Sequence, residues 1–377
     1  MSPNPDILLV SKPIVPPWND SGKNLVRDLA AHAGHYQYRV LATPGTTPPG
    51  PNAIAEPLYS NAGRFAPAVA NQLAVVRRLL MGKRAPLTHF FFAPNPLTST
   101  VMRLLKPALM GSATVHTVTS RPKSYDGVKW LLFADKVVVL SKHTASMFRN
   151  AGVEDIIVIP PSVPITPRIE PERKSAILST LNLPEDKPLV LFAGDYSFGT
   201  AHHRMLQALP RILADTDCHM VFAVRTKTEE SRGQEESIKQ TVSAAGWDNR
   251  VSFHNEIDDM EALAAAVTLN VLPADTLYAK MDFPLVLLES MREEVPVVVS
   301  DHGPLPELVE GGGGMVAPLE TSGALEERVC ELLQSPDKRL EMGKLARQTV
   351  LQRFHPKVMA MAYELLYDEL LGAGDKR

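Results

Sequence analysis

The chain has 377 residues, 45% hydrophobic and 21% charged, with a net charge of -3, the composition of a folded protein with room for two ordinary domains. Two cysteines, Cys218 and Cys330, sit in no CxxC pair and at no metal-ligand spacing, which fits a reducing compartment and buried thiols. No run approaches the roughly 18–20 apolar residues of a membrane span, and Asp6 ahead of Ile7–Val10 reads as a strand rather than a signal peptide, so a cytoplasmic location is expected.

Apolar or β-branched runs recur along the first half at Ile7–Val10, Tyr38–Ala42, His89–Ala93, Ala113–Thr119, Lys136–Leu140 and Ile156–Ile159. Helical patterns lie between several of them, at Lys23–Ala31 and Ala68–Met81. This alternation predicts parallel sheets covered by helices. Pro160, Pro161, Pro164, Pro167 and Pro171 then read as an extended connection. Alternation resumes at Leu189–Ala193, His219–Val224, Val251–His254, Leu269–Leu272 and Val295–Ser300. The expected architecture is α/β, two doubly wound Rossmann-like domains facing a cleft. Ligands of such sheets bind beyond the carboxyl ends of the strands.

Charge divides unevenly. Residues 1–160 carry a net +9 and the remainder -12. The basic half suits an anionic surface. Arg77, Arg78, Lys83 and Arg84 end a helix that also carries Val75, Val76, Leu79, Leu80 and Met81; Arg103 and Lys106 stand beside Leu104 and Leu105. Peripheral contact with an anionic membrane is one reading, and a core helix with a solvated basic end is the other. Nucleic acid is not an expected partner.

No GxGxxG follows the first strand, and Walker A and GxSxG sequences are absent, against nicotinamide, P-loop and serine-hydrolase chemistry. The one DxD, Asp215 to Asp217, reads as a solvated turn. More informative is Lys280 to Met291, followed by Val295 to Asp301. Pro284 suits the first turn of a helix. The N–H groups of Leu285 and Val286 would then point out of its terminus, where a diphosphate fits. Glu289, one turn on, offers a carboxylate to a ribose.

Taken together these residues resemble the retaining glycosyltransferases of family 4, which have the GT-B fold. Phe133–Lys142 and Ile157–Pro161 resemble the end of that family's N-terminal domain. Phe192-Ala-Gly194-Asp195 resembles the first strand and loop of its C-terminal domain. Asp282 to Asp301, Leu305–Leu308 and Gly311–Gly314 resemble its donor-binding core, and Phe354–Leu371 its closing helix. The resemblance implies an acceptor-side domain over 1–165, a nucleotide-sugar domain over 166–352 and a helix over 353–377 crossing back. It implies transfer from a nucleotide sugar with retention, without a metal or cofactor, the leaving phosphate taking the acceptor's proton. The acceptor is not identified.

Departures from the family pattern are specific. Of the family's two glutamates eight positions apart, Glu289 matches the second, while Met281 holds the place of the first; Asp282 is the candidate to take over its sugar contact, with Phe283 and Pro284 following. Asp195 stands where an arginine is usual and Thr200 near the usual lysine. Arg225 and Lys227, after the strand His219–Val224, are candidates to supply the missing charge, with Arg204 a third. Ser21 and Gly22, with Lys23, resemble the loop over the donor phosphates. His116 is the only histidine on the fourth strand of the first domain; a catalytic role and a buried structural one both fit, and Thr119 or Ser120 occupies the strand's mouth. The alternatives to an active transferase are a catalytically degenerate binding or scaffold protein and another GT-B enzyme, an epimerase or phosphorylase.

Overall fold

A computed structural model describes residues 6–16, 18, 20–32, 34–60 and 69–372. The chain divides into two compact units. One comprises residues up to Pro164, Tyr278–Asp282 and Arg353 onward; the other comprises Ile165–Leu277 and Phe283–Gln352.

The first unit begins with β1 (Asp6–Val10), α1 (Ser21–His32), β2 (Gln37–Ala42), β3 (Ala53–Pro57), α2 (Val69–Met81) and β4 (Leu87–Phe92). It continues with α3 (Pro96–Leu105), β5 (Ala113–Val118), β6 (Lys136–Val139), α4 (Lys142–Asn150) and β7 (Ile156–Val158). The described strands form one parallel sheet in the order β3-β2-β1-β4-β5-β6-β7. The order reverses between β1 and β4, so the loops leaving those two strands diverge there and open a crevice. The strand cores, Ile7–Val10 and Val137–Val139 among them, are buried, which explains why they read as continuous apolar runs and not as alternations.

The second unit contains α5 (Pro171–Thr180), β8 (Leu189–Phe192), α6 (Ala201–Asp215), β9 (His219–Ala223), α7 (Glu229–Ala244), β10 (Val251–His254) and α8 (Met260–Ala266). Then come β11 (Leu269–Leu272), α9 (Leu285–Arg292), β12 (Val297–Ser300), α10 (Pro306–Val309), β13 (Gly314–Ala317), α11 (Ala324–Gln334) and α12 (Pro336–Arg353). Its parallel sheet runs β10-β9-β8-β11-β12-β13. Here the reversal falls between β8 and β11.

The last helix, α13 (Pro356–Leu370), belongs to the first unit and packs on α1. Glu364 Oε1 accepts the backbone N–H groups of Gly34 (2.9 Å) and His35 (2.7 Å), which follow α1. The Tyr36 hydroxyl donates to Asp368 (2.6 Å). His89 lies between the Tyr367 hydroxyl at 2.6 Å and Thr117 Oγ1 at 2.7 Å. A fully buried imidazole on β4 thereby has both nitrogens satisfied, as low-dielectric surroundings require.

Two strands have no counterpart among the expected runs. β3 (AIAEP) and β13 (GMVA) are edge strands with half-buried residues, too short and mixed to stand out by periodicity. Ala68, expected to open α2, lies outside the described residues. Pro284 is the N-cap of α9 and not a first-turn residue: its ψ of 126° keeps it extended, and its carbonyl takes the first helical bond, from Leu287 at 3.0 Å.

Candidate donor site and the residues around it

In the second unit the loops leaving β8, β9 and β11 lie at one edge of the sheet, since these strands are parallel and adjacent. After β8, Gly194 has no room for a side chain, because a Cβ would run into the Phe192 ring. Asp195 turns its Oδ1 inward to accept the amides of Ser197 (2.7 Å) and Phe198 (3.2 Å). Asp275, three residues beyond β11, accepts the amide of Thr200 (2.7 Å) at the start of α6. Carboxylates of the chain itself therefore occupy amides of the loop that leads into α6. Sequence reasoning noted Asp195 only as a missing arginine and did not single out Asp275, because the contact joins residues 75 positions apart.

The start of α9 is different. Pro284 O serves Leu287 and Leu288, so the N–H groups of Leu285 and Val286 precede the helix's own ladder and lack an intrahelical acceptor. The helix is held rigidly against the sheet. Asn270, buried on β11, donates to Val286 O (3.3 Å) and Ser290 Oγ (3.0 Å), and Ser290 donates to Ala264 O (3.1 Å). Phe283 is fully buried, and Glu289 is half-buried on the first full turn of the helix.

Arg225 and Lys227 lie exposed on the loop between β9 and α7. That loop is pinned by the Thr226 amide donating to Asn255 Oδ1 (2.8 Å) and by a capping box at Thr228. Arg204 is committed elsewhere: it donates to Thr200 Oγ1 (3.2 Å) and Leu319 O (3.1 Å).

In the first unit, Lys12 pairs with Asp20 at 2.6 Å, and Asp20 Oδ1 caps α1 through the Lys23 amide (3.1 Å). Pro17 and Asn19 of this loop lie outside the described residues. Ser21 and Gly22 are half-buried. A Cβ on Gly22 would stand 3.8 Å from the Thr119 side chain, which follows β5, so the helix start and that strand's mouth are neighbours. Lys23 is buried with its ammonium 5.7 Å from the Trp18 ring centroid, and desolvation lowers its pKa against the pull of Asp20.

Two candidate catalytic residues, His116 and Asp282, are buried. His116 is sealed in the sheet, in a triangle of rings with Phe92 (4.4 Å) and Phe133 (5.1 Å), with Nε2 at 3.1 Å from Phe92 O. Burial pushes its pKa down to about 4. The imidazole has no exposed surface and is held neutral at pH 7. Asp282 is 3% exposed and belongs to the first unit. The Ser141 hydroxyl, N-cap of α4, donates to its Oδ2 at 2.6 Å, and Arg121 Nε stands 3.8 Å from Oδ1. Burial raises the carboxyl's pKa while Ser141 and Arg121 oppose that rise. Arg121 also pairs its backbone with the excursion carrying Asp282: its N–H donates to Lys280 O (3.1 Å) and its carbonyl accepts from Ala279 (3.3 Å). Asp282 is thus an anchor for the Tyr278–Asp282 segment, its carboxylate already engaged. Ser141 lies in the Phe133–Lys142 segment noted from sequence, but nothing there pairs it or Arg121 with Asp282.

Among the described residues, no group of three His, Cys, Asp or Glu is placed to hold a metal ion, and no helix is long and apolar enough to cross a membrane.

Residues 174–349 match the family of glycosyl transferases group 1. The chain is 28% identical over 170 residues to the N-acetyl-alpha-D-glucosaminyl L-malate synthase of Bacillus anthracis, covering 44% of this chain and 42% of that one. It is 30% identical over 169 residues to the lipopolysaccharide core biosynthesis mannosyltransferase LpcC of Rhizobium leguminosarum bv. viciae, covering 45% and 46%. The chain spans about half the length of the curated relatives it matches. Anabaena Alr3699/HepE, solved in complex with UDP and glucose, superposes with a TM-score of 0.72 at 16% identity, over 97% of this chain and all of that one. Residues 174–349 are therefore similar to the group 1 glycosyltransferases, and the chain as a whole has the GT-B fold of two parallel α/β sheets shared with its structural neighbours.

Proposed function

We propose that the chain is a retaining glycosyltransferase of family 4, moving a sugar from a nucleoside-diphosphate sugar to a glycan, lipid or small-molecule acceptor without a bound metal or cofactor. The observation that carries this reading is the start of α9. There the amides of Leu285 and Val286 have no intrahelical acceptor, and Glu289 follows one turn later on a helix fixed by Asn270. Oriented donors with a helix dipole behind them stabilise a leaving diphosphate, and a carboxylate at Glu289 suits the ribose hydroxyls. Arg225 and Lys227 would add positive charge from the β9–α7 loop. The sealed His116 agrees with a reaction in which the leaving phosphate, and not a protein base, takes the acceptor's proton. The HepE complex with UDP and glucose supports a nucleotide-sugar donor. LpcC, named for lipopolysaccharide core synthesis, supports an acceptor at a membrane, and with it peripheral contact of the basic first unit with an anionic leaflet from the cytoplasmic side.

Calorimetry with UDP, GDP and ADP tests the donor site. The preferred nucleotide should bind, and Glu289→Ala should weaken it by roughly 1.5–3 kcal/mol, the range for a hydrogen bond to a charged group. Unchanged affinity in a folded variant removes Glu289 from the site.

A second reading has specific support. Asp195 and Asp275 fill the loop amides beside α6, and Met281 stands at the family's first glutamate, a combination that suits a nucleotide-binding protein without turnover. Slow hydrolysis of a bound nucleotide sugar in the absence of acceptor supports the transferase. Tight binding with no hydrolysis and no transfer supports the binding protein.

A further inference from the structure

Exposed apolar residues of the first unit cluster beside cations. Met81 ends α2 and is 76% exposed; Leu104 near the end of α3 is 76% exposed; Met110 and Trp130 are each 71% exposed. Met110 follows a 3-10 turn at Lys106–Leu109, and Trp130 lies in another at Val128–Leu131. Packing connects the elements that carry them. α2 packs on the first of these turns, and α3 packs on both. Arg84 donates to Met110 O (3.4 Å). Arg103 lies 5.7 Å from the Trp130 ring centroid and donates to Lys129 O (3.4 Å) and Leu132 O (3.1 Å).

Cations predominate here. Between Val69 and Ala134 the sequence has nine lysines and arginines against one acid, Asp126. Arg84, Arg103 and Lys129 are exposed, as are Lys83 and Lys106, which stand 3.6 Å from Asp6 and 3.2 Å from Asp135. Arg78, by contrast, is spent on an ion pair with Glu56, and Leu79 is buried in the core with Val75 and Val76 packed beside it. Of the apolar side chains expected on that face of α2, Leu79 lies in the core and Val75 and Val76 pack beside it, while Leu80 and Met81 remain at the surface, at the helix's end, together with the two 3-10 turns.

Four large apolar side chains that stand out from the surface, ringed by cations on elements rigidly joined to a sheet, match an anionic bilayer: the apolar groups enter the headgroup boundary while the cations remain at the phosphates. We propose that Met81, Leu104, Met110 and Trp130 are the membrane-inserting residues of this protein, with Lys83, Arg84, Arg103, Lys106 and Lys129 as their phosphate-facing collar. This rests on the peripheral-membrane reading above and adds the surface that performs it.

The test is co-sedimentation of the full chain with phosphatidylcholine vesicles, with and without phosphatidylglycerol, at low and high salt. Binding should require phosphatidylglycerol and weaken with salt. Each cation neutralised to Gln should lower the binding constant about fivefold, the equivalent of about 1 kcal/mol per basic side chain. Met110→Asp with Trp130→Asp should abolish binding, whereas Met361→Asp, on the exposed stripe of α13, should not. Trp130→Phe guards against misfolding. It should bind like the parent yet lose most of the tryptophan quenching by brominated lipid, since Trp18 and Trp247 lie elsewhere. Anionic-lipid binding that survives the Met110/Trp130 change, with quenching retained in Trp130→Phe, overturns this surface and leaves the membrane reading standing. No binding to anionic vesicles at low salt overturns both, and equal binding to neutral vesicles overturns the collar.

Discussion

At the scale of single residues, His116 shows how little of a side chain's surroundings its own strand reveals. Its strand position and residue type were legible, but its neighbours Phe92 and Phe133 lie 24 and 17 positions away in sequence, so enclosure by them was not. The same enclosure has a consequence for pH. The folded imidazole titrates at about 4 against roughly 6.5 in the unfolded chain. The unfolded state therefore binds a proton first as pH falls. The stability this site contributes is complete above pH 6.5 and is lost progressively down to pH 4, by an amount on the order of 3 kcal/mol. Urea unfolding at pH 7 and pH 5 should show the parent weakening, and His116→Phe should reduce that slope. An identical slope in the variant would place the acid sensitivity elsewhere, with His89, also held neutral by burial, as the next candidate.

At the scale of elements, α9 illustrates what a sequence conveys and what it conceals. Its helical pattern, its proline start and its orphan amides follow from local residue types and could be read directly. Its attachment could not. Arg292 is fully buried at its last turn, bonded to Glu293 (3.0 Å) and to Glu261 of α8 (2.7 Å), and Glu293 in turn accepts the Ile169 amide (3.2 Å). A buried Arg and Glu in an apolar unit look like surface residues to any composition rule, because charge is read as exposure. Removing Glu293 leaves the buried Arg292 with Glu261 as its carboxylate partner and takes the acceptor from the Ile169 amide. Glu293→Ala should destabilise the second unit by roughly 3–5 kcal/mol, measured by chemical denaturation. A loss under about 1 kcal/mol, the range of exposed ion pairs, would show that water reaches Arg292. Because α9 also presents Leu285 and Val286, the same variant should weaken nucleotide binding without touching the nucleotide.

At the scale of the whole molecule, the two sheets were legible because parallel strands buried on both faces announce themselves as apolar runs, whereas nothing in the sequence marks Tyr278–Asp282 as part of the first unit. The first unit is assembled from three stretches of sequence, and its last stretch is structurally demanding. α13 supplies Glu364 to the Gly34 and His35 amides, Asp368 to Tyr36, and Tyr367 to a buried histidine. It also lays Tyr363 and Tyr367, both fully buried, over the sheet. Ending the chain after Gln352 would expose that aromatic surface and orphan His89 Nδ1. Burying each large aromatic contributes roughly 1.5–3 kcal/mol, and an orphaned buried polar atom costs about 1–3 kcal/mol. Their total is comparable to the whole stability of an ordinary domain, roughly 5–15 kcal/mol. The truncated protein should therefore hold a folded second unit, which keeps its own sheet and α9, while the first unit unfolds. Calorimetry of the truncated chain should show one transition, and a nucleoside diphosphate at about a hundred times its dissociation constant should still stabilise it by roughly 2.7 kcal/mol. Vesicle binding through Met110 and Trp130 should fail in the same sample. Retention of the first unit's transition would mean that α13 merely decorates the sheet, and a lost nucleotide response would mean that the donor site draws on residues of the first unit.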